Sequence, residues 1–290
     1  MRASKANIII FLLPALVLFA FIFAYPLITI FSTSLFHWKG MSGVMDYIGF
    51  DHFRYMLTDR IFLRAFRNTL VWVLLQSTVH VALGTLIALA LTRRPKGWKA
   101  VRTAYMFSNI ISLAVLGVVY MNFFNPQYGL INSLIRLIGP SDFQMNWYFS
   151  ARTSFWTVTS TWLLFAGLIT IIVLAEISAI PDDLYEASAI DGATILQKDL
   201  YITLPLLRGA LGTSVVLASS SMLKEFELIY LTTNGGPDIL TMNLPLYIYK
   251  TSLLENNYGY ANALGTVTVL LGIAIIALTN RLFRMGRSER

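Results

Sequence analysis

The feature that most constrains this chain is a succession of apolar runs, each long enough to cross a bilayer. They lie at about 8–35, 63–91, 103–124, 153–176, 206–231 and 259–283. At ~1.5 Å of rise per residue, roughly 20 apolar residues cover the ~30 Å hydrocarbon layer. Inside that layer every backbone N–H and C=O must be paired within the chain, so the runs predict helices. The expected fold is all-α and integral to the membrane, with six spans in a single domain, 1–290. Composition agrees, at 56% hydrophobic and 13% charged residues, and no polar segment is long enough to bury a core of its own. The first run follows Arg2 and Lys5 as a secretory signal would. It is too long for that and other runs follow, so it reads as a retained span, kinked at Pro14 and Pro26.

Charge sets the expected orientation. The net charge is +7, but the basic residues lie between apolar runs rather than along one face with interleaved aromatics, which argues against nucleic acid as a partner. Arg93, Arg94, Lys96, Lys99 and Arg102 crowd one short loop without an acid. The tail carries Arg281, Arg284, Arg287 and Arg290 against Glu289. The positive-inside rule puts both segments in the cytoplasm, and with them both termini and the loop 177–205. Arg54, Arg60, Arg64 and Arg67 run against the rule on the outer side. The absence of cysteine removes disulfides, thiol nucleophiles and Cys-based metal sites. His37, His52 and His80 are too scattered for a metal cluster, and each is read as a packing or interfacial residue.

The loop 177–205 is polar where its surroundings are not. Pro181 suits the first turn of a helix, and Asp182, Asp183 and Glu186 place negative charge at its positive end. Asp191-Gly192 reads as a break, and Thr194 with Gln197 has the form of a capping box opening a second helix. Pro205 ends that helix or starts the next. Ala187, Ser188 and Ala189 keep one side slim enough for a partner's backbone. An ordinary connecting loop is the plainer reading of these features taken alone.

The spacing Glu186-Ala187-Ser188, three residues, Gly192, nine residues, Ile202-Thr203-Leu204-Pro205 resembles the cytoplasmic EAA loop of permease subunits in binding-protein-dependent ABC importers. Ser188 stands where that family usually has alanine, which leaves the slim face intact. Gly49-Phe50-Asp51-His52-Phe53, Arg67-Asn68-Thr69-Leu70 and Leu231-Thr232-Thr233-Asn234-Gly235-Gly236-Pro237 extend the likeness to the carbohydrate and glycerol-phosphate branch, and to the first of its two unlike permeases. The resemblance implies a six-helix type I importer permease whose coupling helix docks on an ATPase subunit. It carries Glu186, Ala187, Ser188, Asp191, Gly192, Leu204 and Pro205 over as coupling residues. It further implies a second permease as heterodimer partner, two ATP-binding subunits, an extracytoplasmic solute-binding protein, and a bacterial cytoplasmic membrane as location. The chain itself has no G-x-x-x-x-G-K-[ST], so ATP and Mg are expected on the partner ATPase, with no cofactor or metal on this chain.

A path for a polar solute draws on polar and aromatic groups within the apolar runs. The candidates are Asn109, Ser112 and Asn122 on the third span, Trp156, Thr159 and Ser160, with Trp162, on the fourth, and Ser219 and Ser220, with Ser221, on the fifth. Helix packing explains such serines as well, and lipid or packing contacts explain most aromatics. Lys224, Glu225 and Glu227 are the costliest residues in a span and join the path candidates as an outer gate or solute contact, while Lys224 with Glu227, three apart, also read as structural partners on one helix face. Gly265 and Gly272 share a face of the sixth span and are read as a close helix contact. A secondary transporter remains an alternative but lacks paired repeats and midmembrane coupling groups. A membrane enzyme lacks a clustered acid, base or nucleophile.

Overall fold

The computed structural model describes residues 5–40, 43–108 and 111–284. In chain order, α1 (Lys5–Phe19) and α2 (Tyr25–Thr33) precede a hairpin of β1 (Phe36–Trp38) and β2 (Met45–Tyr47). Then come α3 (Asp51–Met56), α4 (Arg60–Leu75), α5 (Val81–Thr92), α6 (Trp98–Ser108), α7 (Leu113–Phe123) and α8 (Leu130–Ile138). The chain continues through α9 (Ser154–Leu163), α10 (Gly167–Ile177), α11 (Asp182–Ile190), α12 (Ile195–Lys198), α13 (Leu204–Leu206) and α14 (Arg208–Met222). It ends with α15 (Glu227–Thr232), α16 (Leu244–Tyr249) and α17 (Tyr258–Phe283). The hairpin departs from the all-α expectation. Its strands pair antiparallel, with Phe36 opposite Tyr47.

Among the described residues, four helical stretches are long and apolar enough to cross a membrane: Phe11–Thr33, Arg60–Thr92, Ser154–Ile177 and Tyr258–Phe283. A fifth exists if Ile195–Leu206 and Arg208–Thr232, bent by 69° at Leu207, count as one. The expected third span is not one helix, because Ser112 is extended (φ −66°, ψ 147°) and caps α7 afresh. A π-helical turn, Ala20–Ala24, sits before Pro26. It absorbs the carbonyl that a proline leaves without a donor, whereas Pro14 lies inside α1.

Two compact units emerge. The first holds Met1–Leu63 and Tyr247–Leu270. Its buried polar centre is Asp59, 7% exposed. Asp59 Oδ2 accepts the hydroxyls of Tyr247 and Tyr260, each at 2.6 Å, and Oδ1 accepts the Ile61 N–H at 2.8 Å. Three donors offset the cost of burying a carboxylate. Gly259 lets the hairpin approach α17, since a Cβ there would lie 2.1 Å from the Phe36 carbonyl oxygen.

The second unit holds Arg64–Leu246 and Leu271–Arg290. Its core gathers Val81, Ala88, Ile169, Val173, Ile177, Leu207 and Ala218. There α5 meets α10 at Gly84, where a Cβ would fall 2.7 Å from Ile169 Cβ, and Thr170 Oγ1 donates to the Gly84 carbonyl at 3.2 Å. This is a close helix contact. At Gly265 and Gly272, an added Cβ would meet only ordinary contacts, 3.6 Å from Ile30 and 3.4 Å from Leu223. Trp72 stacks on Phe155 at 5.0 Å and donates its indole N–H to Thr159 at 2.8 Å.

Candidate functional site

The loop after α10 folds into a capped helix pair. Pro181 is the N-cap of α11, one residue before the expected first turn. At the other end Gly192 takes φ +76°. Its N–H bonds to the Ala189 carbonyl at 3.1 Å, and that of Ala193 bonds to the Ser188 carbonyl at 2.9 Å. That pair of bonds is a Schellman cap, which only a left-handed residue closes easily. Thr194 and Gln197 form the expected capping box, a device typically contributing about 0.5 to 2 kcal/mol. The second helix, α12, runs through a π turn (Asp199–Thr203) into α13, so Leu204 and Pro205 lie within it and the bend falls at Leu207.

The pair is fastened to the spans. Tyr185 and Thr203 share a hydroxyl–hydroxyl bond of 3.0 Å, and Lys198 Nζ donates to the Tyr185 carbonyl at 3.1 Å. Asp199 accepts from Arg93, just past the end of α5. Glu186, Ala187, Asp191 and Gly192 are exposed, Ser188 half-buried. Around them stand bare apolar side chains: Ile190 at 86% exposure, Leu196 at 64% and Tyr201 at 77%. Ser188, Gly192 and Tyr201 line a notch of about 310 Å³. A held backbone presenting apolar side chains and a small-residue notch is a surface built to be covered.

Within the second unit a cavity of about 320 Å³ is lined by Gln76, His80, Thr161, Trp162, Ser221 and Glu225 among apolar neighbours. Gln76 and His80 stand on a π turn between α4 and α5, a widening that often marks functional positions. The break between α9 and α10 frees the Leu163 carbonyl, which bonds His80 Nδ1 at 2.9 Å. Gln76 Oε1 and Trp162 Nε1 are buried with no hydrogen-bond partner. One is an acceptor and one a donor, so a bound hydroxyl group could satisfy both.

The sequence-derived path residues divide. Glu225 lines the cavity, and its Oε1 also accepts the Leu228 N–H at 3.1 Å. Ser219 is buried and bonds the Val215 carbonyl, Ser160 bonds that of Thr157, and Ser220 is half-buried; none of the three lines the cavity. Thr159 is consumed by Trp72, and Trp156 is 61% exposed. Ser112 caps α7, and Asn122 bonds Val118 and Tyr128 at the end of that helix. Asn109 lies outside the described residues. Lys224 and Glu227 are not helix-face partners: α14 stops at Met222, Glu225 and Phe226 are not helical, and no ion pair joins the two among the described residues. Gln76 was missed in sequence, although a lone amide inside an apolar run, four residues before a histidine, was its signal.

Apolar spans, a fastened two-helix loop and a polar cavity between helices define a membrane transport subunit. No family model matches the chain. It is 28% identical to the "Probable ABC transporter permease protein YurN" of Bacillus subtilis, covering 97% of each chain. It is also 28% identical to the sulfoquinovosyl glycerol transport system permease protein SmoG of Agrobacterium fabrum, covering 95% of this chain and 90% of that one. A chain of a bacterial alginate ABC transporter, solved with an alginate pentasaccharide-bound periplasmic protein, superposes with a TM-score of 0.83 at 26% identity over 97% and 94% of the two chains. The chain is thus similar over nearly its whole length to ABC transporter permeases.

Proposed function

We propose that this permease imports a carbohydrate or related polyol handed over by an extracytoplasmic solute-binding protein. It works beside a second permease and two ATP-binding subunits that hold ATP and Mg. The observation that carries the reading is the capped, exposed helix pair 182–206, tied to α5 through Arg93 and Asp199 and continuous with α10 and α14. Such a body transmits a push from a closing ATPase to the spans rather than absorbing it. Glu186, Ala187, Ser188, Asp191, Gly192, Leu204 and Pro205 are its coupling residues, and six spans with both termini in the cytoplasm put it on the ATPase side. The orphaned acceptor of Gln76 and donor of Trp162 favour a hydroxylated solute. Sulfoquinovosyl glycerol and alginate, named for two relatives, are both polyhydroxylated.

Ala187→Trp blocks the exposed slim face. Gly192→Pro removes the N–H bonded to Ala189 and forbids a positive φ. Both variants should reach the membrane, lose solute-stimulated ATP hydrolysis and uptake, and retain less ATPase on purification. Wild-type uptake with the ATPase retained would reduce the stretch to a connecting loop. Reporter fusions after Arg94 and Arg287 should read cytoplasmic, and fusions near Asp142 and Asp238 should read outside. Asp142 and Arg94 on one side would end the six-span reading.

A further inference from the structure

We propose that the chain holds an anionic phospholipid by its phosphate headgroup in a cavity at the ends of α5 and α10. The cavity encloses about 240 Å³ and is lined by Arg94, Arg102 and Trp98 on its polar side and by Leu91, Ile171 and Leu174 on its apolar side. It belongs to neither the helix-pair notch nor the Gln76–Trp162 cavity. It sits where two spans end together, α5 at Thr92 and α10 at Ile177. The apolar wall therefore continues into the layer of acyl chains, and the basic wall stands at headgroup level.

The charges there are uncompensated. Arg93, next in sequence, is taken by Asp199. Among the described residues Arg94 has no acidic partner; its guanidinium lies 5.9 Å from the centre of the Trp98 ring, and Lys99 approaches the same ring at 6.0 Å. Arg102 makes no ion pair among the described residues, and no Asp or Glu lines the cavity. Arg94 is held in a left-handed turn, φ +48°, that ends the helix and brings it back over the indole. Two guanidiniums converging on one hollow offer forked donors suited to phosphate oxygens. Trp98 opens α6 six residues past the end of α5, and indoles are favoured at the membrane interface, where a span ends. A free phosphate would use the arginines and leave the Leu91, Ile171 and Leu174 wall unused. A lipid uses both, and basic pockets between spans are a known form of headgroup site.

The test uses the full-length chain with its co-purifying subunits in detergent. Native mass spectrometry counts retained lipid after exposure to phosphatidylglycerol or phosphatidylcholine, and thermal unfolding is followed with each lipid. The wild type should retain and be stabilised by phosphatidylglycerol alone. Arg94→Gln with Arg102→Gln should weaken retention about tenfold, Arg94→Lys with Arg102→Lys less, and Lys96→Gln with Arg281→Gln, basic residues outside the cavity, not at all. Equal retention of both lipids, or equal loss in the Lys96/Arg281 variant, would mean diffuse charge and overturn the site. Stabilisation by inorganic phosphate that also strips the lipid would assign the hollow to a free anion and overturn the lipid. Should the glutamine pair not accumulate, the lysine pair and the wild-type preference decide: no preference for phosphatidylglycerol sinks the proposal.

Discussion

The side-chain amide of Asn68 donates to the carbonyl of Met242 at 2.8 Å, across 174 residues of chain, and to that of Leu240 at 2.9 Å. Next to it, Thr69 Oγ1 accepts the Leu244 N–H at 3.0 Å. Two side chains thereby supply the hydrogen bonds that an irregular segment cannot make for itself. Asn68→Ala removes the side-chain donor from both carbonyls, the bond to Met242 being buried, and should cost about 2 kcal/mol, lowering the unfolding temperature in detergent. Asn68→Asp, an acceptor facing two acceptors, should be worse. An unchanged unfolding temperature in both would remove the bond from the fold's supports.

Gly84 should tolerate no side chain. Gly84→Ala puts a methyl 2.7 Å from Ile169 Cβ and 3.2 Å from the Ala166 carbonyl oxygen. It should destabilise the chain by about 1 to 3 kcal/mol as overpacking does. Gly265→Ala, with its nearest neighbour at 3.6 Å, is the matched control and should unfold like the wild type. Equal behaviour of the two would show that α5 and α10 can part without penalty.

His52 gives the first unit a pH dependence. Burial pushes its pKa below the ordinary 6.5 and His37 adds to this, while the bond to the Phe36 carbonyl and the charge of Asp51 oppose it. With the folded pKa depressed, folded and unfolded chains are both neutral above 6.5 and stability is complete there. As pH falls below 6.5 the unfolded chain binds the proton first, and stability declines until the folded pKa is passed. Thermal unfolding from pH 7.5 down to 5 should show that decline, and His52→Gln should flatten it. A profile rising toward acid would reverse the sign and refute the assignment.

The orphaned pair in the cavity predicts a transport defect without a folding defect. Gln76→Leu and Trp162→Phe each delete an unpartnered buried polar atom, so the chain should accumulate normally or better. If a solute hydroxyl meets those atoms, the concentration for half-maximal uptake should rise roughly tenfold, as for a lost buried hydrogen bond. Thr159→Val removes the acceptor of the Trp72 indole and should instead lower stability. Unaltered uptake kinetics in both cavity variants would take the solute elsewhere.

How much of this was legible in sequence depended on range. The helix pair follows from neighbours within four residues, so Gly192 and the Thr194–Gln197 box were readable and Pro181 was off by one position. The apolar runs identified membrane-length helices but concealed breaks that hydropathy does not register, at Ser112, at Leu207 and after Met222. The break after Met222 undid the expected Lys224–Glu227 contact, because three-residue spacing brings side chains together only on an unbroken helix. Thr159 and Gln76 are both polar groups in apolar surroundings. Only the position of Trp72 shows that the first is engaged, and only the empty surroundings of Oε1 show that the second is not.

The absent side chain at Gly84 has a mechanical meaning. With Ile169 seated against bare backbone, α5 and α10 have no compressible layer between them, and α10 runs on through a four-residue connection into α11. On the proposed coupling role, a tilt imposed at α11 would pass through that short connection to α10, with Gly84 as its bearing. Ile169, which rides on that bearing, also forms part of the wall behind Gln76 and Trp162; on the proposed reading, a change in the loop's angle would therefore alter the space offered to a solute.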